Sequence, residues 1–98
     1  MAIENVRYRT PDECREALWR MGSRDPEDYR TVAHEGAHFN KAVELGYSPV
    51  CGIRMSVDRP PIVICGFVDF EGPVPEGQDM IDILMAPNPP GQITITRS

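Results

Sequence analysis

Apolar and polar positions recur along this chain with two different periods, and the change between them divides it. From Thr10 to Gly46 the apolar residues return every three or four positions, which is helical spacing. A first helix opens at Thr10-Pro11-Asp12-Glu13, with threonine as N-cap, proline in the first helical position and glutamate closing a capping box. Cys14, Ala17, Leu18 and Met21 form its stripe and Gly22 stops it, while Trp19 lies off the stripe at the edge. Asp25 caps a second helix over residues 26–45, with Pro26 first, Glu27 and Asp28 at its positive end and Gly46 as its stop. From Tyr47 the period becomes two. Residues 50–57 alternate with Cys51, Ile53, Met55 and Val57 on one side, Asp58-Arg59-Pro60-Pro61 turns the chain, and Ile62–Phe70 is apolar on both faces. This predicts a hairpin whose second strand is the more buried, with Gly52 and Gly66 marking bulges or close backbone approach. Residues 71–75 read as a loop. Residues 76–86 read as a third helix with Met80, Ile81, Leu84 and Met85 apolar, broken by the proline-rich 87–91, and 92–96 as a last edge strand or a tail. The expected architecture is therefore α+β, ordered helix-helix-strand-strand-helix-strand, a single domain over 1–98 with the second helix packed on a small sheet.

Composition agrees with one folded unit. The 98 residues are 41% hydrophobic and 26% charged, and ten prolines cut the chain into short elements. A formal charge of −5 argues against a nucleic-acid surface, which needs a basic patch. No window approaches the roughly 18 apolar residues of a membrane helix, and the amino-terminal residues lack the apolar core of a secretory signal. The expectation is a soluble cytoplasmic protein. Cys14, Cys51 and Cys65 show no CxxC spacing. If residues 58–61 form the hairpin turn, position 65 faces 54 and position 51 faces 68, so all three read as reduced core thiols.

The second helix carries the chemistry. Side chains placed at about 100° per residue put Tyr29, Val32, Gly36, Phe39 and Val43 on a core face, and Arg30, Asn40, Lys41 and Glu44 towards water. Both histidines of the chain, His34 and His38, fall on a third, weakly apolar face beside Thr31, Ala42 and Leu45 that some other element must line. One α-turn brings the two imidazoles to the same side, where both can reach one metal ion, and Glu35 follows the first. This is the His-Glu-x-x-His arrangement of zinc peptidases: two neutral imidazoles as ligands, a carboxylate as general base for a metal-bound water, and a third protein ligand from elsewhere. Glu44, the extended-pattern position, is excluded because Lys41 stands where a helix-breaking glycine is needed. Among the later carboxylates Asp79 is the first candidate and Asp82 the second, since both lie on one face of the third helix.

The stretch VAHEGAHFNKAVELGYSPVCGIRM resembles the zinc-peptidase domain of FtsH-type AAA proteases, in which such a helix is followed by a short sheet and another helix. The resemblance implies zinc held by His34 and His38, Glu35 as catalytic base and a peptide or protein substrate. It extends through the hairpin to residues 79–86. The family's own third ligand, an aspartate, comes beyond its second helix, where this chain breaks at 87–91. Two functions are compatible with it: a zinc-dependent metallopeptidase-like protein, or a catalytically inactive zincin-like domain that serves as a protein-interaction module. Small size favours a homo-oligomer, from which a neighbouring subunit could supply the third ligand.

Overall fold

The computed structural model describes residues 2–87. Its elements run β1 (Ile3–Tyr8), α1 (Pro11–Arg20), α2 (Pro26–Glu44), β2 (Pro49–Ser56), β3 (Ile62–Phe70) and α3 (Gly77–Leu84). The fold is α+β, and the expected hairpin is joined by β1 into a three-stranded antiparallel sheet of order β1-β2-β3. The strand expected at 92–96 lies outside the described residues.

Local chemistry sets the helix ends. Thr10 Oγ1 accepts the Glu13 amide at 3.1 Å, and Asp25 Oδ1 accepts the Glu27 amide at 3.0 Å. The Glu13 carboxylate reaches back to the Arg9 amide at 3.0 Å, one residue before the position a capping box uses. Each helix closes with a pair of bonds: Ser23 N–H to Leu18 O and Gly22 N–H to Trp19 O, then Tyr47 N–H to Ala42 O and Gly46 N–H to Val43 O. Gly22 and Gly46 have φ of 94° and 92°, a region in which a side chain is disfavoured, so these closures select glycine.

In the sheet, Cys51 pairs with Val68 and Arg54 with Cys65, the register that a turn at 58–61 dictates. An irregularity between Arg54 and Met55 then shifts the pairing to Met55↔Val63 and Ser56↔Ile62. All three cysteines are free; Cys14 and Cys51 are core residues, whereas Cys65 is only half-buried. The hydrophobic pattern does not reveal β1, because only Val6 and Tyr8 of that strand pack against the core. Its ladder to β2 holds it, together with one long reach. Arg7 Nε and Nη2 meet Asp69 Oδ2 at 2.7 and 2.6 Å, and the guanidinium lies 5.5 Å from the centre of the Phe67 ring.

The core has two parts. Cys14, Leu18, Val32, Phe39, Cys51, Ile53 and Met55 join α1 and α2 to β2, and Val6 and Tyr8 of β1 pack against them. Ala42, Val68, Phe70 and Ile83 join α2 to β3 and α3. This second cluster rotates the buried arc of α2 away from the expected stripe. Val32, Gly36 and Phe39 are buried as expected, but Val43 is 51% exposed, Tyr29 is half-buried, and Glu35, His38 and Ala42 are fully enclosed. The element that lines the histidine face is therefore α3 together with β3. α3 itself is anchored by Ile83, while Ile81 and Met85, expected on its apolar side, are half-exposed or more. No described helix is long and apolar enough to cross a membrane.

Candidate metal centre

α2 carries His34, Glu35 and His38 of the predicted site, and their surroundings differ. His38 is 0% exposed and Glu35 3%, while His34 stands half-buried one turn earlier. The two imidazole rings meet edge to face, with centres 4.9 Å apart. His38 Nδ1 lies 2.7 Å from the backbone oxygen of Ile83. A carbonyl only accepts, so Nδ1 carries the hydrogen and, in the neutral ring, Nε2 keeps its lone pair. Burial pulls the His38 pKa below its ordinary value; the Ile83 bond opposes this and the neighbouring His34 adds to it. The neutral ring is thus the favoured form, as a metal ligand requires.

Three buried polar atoms have no hydrogen-bond partner at this place: His34 Nε2, Glu35 Oε2 and His38 Nε2. Each belongs to a different one of the three site residues on α2. Buried polar atoms are nearly always paired, so three orphans within one helical turn call for a ligand. Desolvation pushes the Glu35 carboxyl up to about 8, so the metal-free protein holds it protonated at neutral pH. The residues fit a cation in their two nitrogens and their adjacent carboxyl.

They do not complete a set of three ligands. Among the described residues no group of three histidine, cysteine, aspartate or glutamate side chains converges. Met1 and residues 88–98 contain none of these types. Asp79 is turned to Tyr47, whose hydroxyl donates to Oδ2 at 2.5 Å. Asp82 accepts from Gln78 Nε2 at 2.8 Å, and Glu44 pairs with Lys41 at 3.3 Å. The histidines and Glu35 are brought together; Asp79 and Asp82 do not join them.

Glu35 rests on Gly66 of β3. A Cβ at position 66 would lie 2.4 Å from Glu35 Cγ and 3.0 Å from Thr31 Cγ2, so only glycine lets the helix sit this close to the strand. The glycine is legible in the sequence as a point of close approach, but the residue it accommodates is not. The Ile83 carbonyl left no signal at all, because any residue supplies one. Between α2 and the open side of β3 lies a cleft of about 350 Å³, bordered by Arg30, Thr31, His34, Glu35, Ile64 and Cys65. Gly66→Ala is expected to displace Glu35 and to cost about 1–3 kcal/mol, as overpacking does. Chemical denaturation measures this, and an unchanged midpoint would show that the cradle is loose.

No protein-family model matches this chain, no curated protein matches its sequence, and no solved structure matches it.

Proposed function

We propose that the chain is a zincin-like, metal-dependent hydrolase of peptide bonds, in which His34 and His38 hold a zinc-class cation and Glu35 is the base. The observation that carries this reading is the trio of unpartnered buried atoms, one on each of the three residues. Leaving such groups unpaired costs on the order of 1–3 kcal/mol each, a cost that a cation and its water would remove. A bound cation of this class polarises a carbonyl and acidifies a water.

The chain's own residues do the rest. His38 offers Nε2 because Ile83 occupies Nδ1, and His34 offers a second nitrogen from the preceding turn. Glu35 accepts a proton at its free Oε2 and, being desolvated, holds it until a leaving amine takes it. The cleft beside Glu35 is open along β3, which has no strand neighbour on its second side among the described residues. Ile64, which borders the cleft and is 52% exposed, would meet an extended peptide added along β3. The third ligand position would be filled by Asp79 or Asp82 after α3 is re-seated, or by a neighbouring copy of the chain. The failure of three ligands to converge favours a second reading, a zincin-like helix retained in a protein-interaction module.

Metal analysis of protein purified without added zinc separates the two. The hydrolase reading expects about one zinc-class ion per chain and affinity reduced about 100-fold or more in His34→Ala and in His38→Ala. It also expects peptide cleavage that disappears in Glu35→Gln while the metal stays bound. Protein without metal and without a thermal shift on adding zinc leaves only the interaction module.

A further inference from the structure

We propose that the closed end of the α1–α2 hairpin is a docking site for an acidic protein segment that carries a large apolar anchor residue. Trp19, the one tryptophan of the chain, is 56% exposed there, although tryptophan side chains are on average well buried. Its indole does not hang free. The Arg24 guanidinium lies 3.4 Å from the ring centre, and the Tyr29 ring of α2 leans towards it at 6.4 Å between centres and 58° between planes. Both neighbours are themselves fixed. Arg24 Nη1 donates to Trp19 O at 3.0 Å and to Ser23 O at 2.8 Å, and the Tyr29 hydroxyl donates to the same Ser23 O at 2.8 Å. Together with Arg15, Glu16 and Arg20, the two rings border a cavity of about 520 Å³.

Tryptophan, tyrosine and arginine are the side chains that dominate binding energy at protein interfaces. Here they are held in place before a partner arrives, which spares the cost of ordering them. Charge selects the partner. Around the rings the guanidiniums of Arg15, Arg20 and Arg24 outnumber the one carboxylate, Glu16, a local positive excess in a chain of formal charge −5. Arg15 meets Asp12 at 2.7 Å and Arg20 meets Glu16 at 3.8 Å, but all four side chains are more than half exposed. Such pairs contribute little, so a partner's carboxylates can replace them. A cationic ligand does not fit, because Arg24 already takes the cation's place on the indole and the other guanidiniums repel it. A nucleic acid fits poorly, since its run of phosphates needs an extended basic surface and here the positive charge is confined to one cavity. An apolar side chain against the rings, with carboxylates on the arginines, satisfies both parts of the site.

The test titrates the full, metal-free chain with the end-blocked peptide Glu-Glu-Phe-Glu-Glu, read by Trp19 fluorescence and by NMR amide shifts. Saturable binding is expected, with shifts centred on the residues around Trp19 and an affinity that falls as salt is added. Trp19→Ala, followed by NMR, and Arg20→Glu should each weaken binding about tenfold or more. Both residues are exposed, so both variants are expected to keep the parental fold by circular dichroism. Lys-Lys-Phe-Lys-Lys and Glu-Glu-Ala-Glu-Glu should bind about tenfold more weakly or worse. No saturable change with the acidic phenylalanine peptide, equal binding of all the peptides, shifts centred away from Trp19, or tighter binding of a single-stranded DNA oligonucleotide would each overturn the proposal. None of these outcomes bears on the metal reading, whose residues lie outside this site.

Discussion

Glu35→Gln flattens the dependence of folding stability on pH between about 4.5 and 8 in the metal-free protein. In the folded chain the Glu35 carboxyl is pushed up to about 8 from an ordinary 4.5. Between these values the folded state keeps the proton and the unfolded state has released it. The unfolded state then binds fewer protons, so stability falls as pH rises across the window and levels off above it. The loss is about 5 kcal/mol at most by linkage, a large part of the stability of a small domain. Glutamine is neutral at every pH and nearly the same shape, so the variant should match the parent near pH 4 and exceed it by a few kcal/mol near pH 9. Urea denaturation at several pH values in the presence of a chelator measures the difference. Parallel curves for the two proteins would falsify the assignment of the buried proton to Glu35.

His38→Ala has the second large effect, and it separates the two histidines. His38 is wholly enclosed, fills core volume between α2 and α3, and donates to Ile83 O at 2.7 Å. Truncation leaves a cavity and removes the one side-chain hydrogen bond from α2 to α3 among the described residues, a loss of about 3–5 kcal/mol. Ile83 O retains the Ala86 amide at 3.2 Å, so the carbonyl itself is not stranded. His34 is half-buried and its ring nitrogen has no partner, so His34→Ala should cost about 1 kcal/mol or less. Both variants are expected to lose metal, but only His38→Ala should unfold early without it. Equal midpoints for the two variants in chelator would contradict the tether to α3.

The parts of this molecule legible in the sequence are those written in local chemistry. Thr10, Pro11, Gly22, Asp25, Pro26 and Gly46 mark the helix ends because each side chain or missing side chain satisfies a particular end group. The hairpin register follows from the length of its turn. β1 was hidden because its stability comes from a ladder and from Arg7 reaching Asp69, neither of which appears as a hydrophobic period. The arc of α2 that is buried was only partly readable. Helical spacing separates the faces, but it does not say that α3 will cover the side with His38 and leave Val43 at the rim. For the site, spacing places His34 and His38 on one side of the helix and Glu35 beside them. What Asp79 does instead, accepting the Tyr47 hydroxyl, depends on a contact between residues 32 positions apart.

The bond from His38 to Ile83 also has a kinetic meaning. An enclosed imidazole whose Nδ1 is fixed to a neighbouring helix cannot flip between its two orientations while that helix is seated. The dwell time of the ring is therefore the dwell time of α3 on α2, a local-opening event far slower than the rotamer hops of a surface side chain. An exchange measurement on α3 amides and a ring-flip measurement on His38 would report one and the same clock.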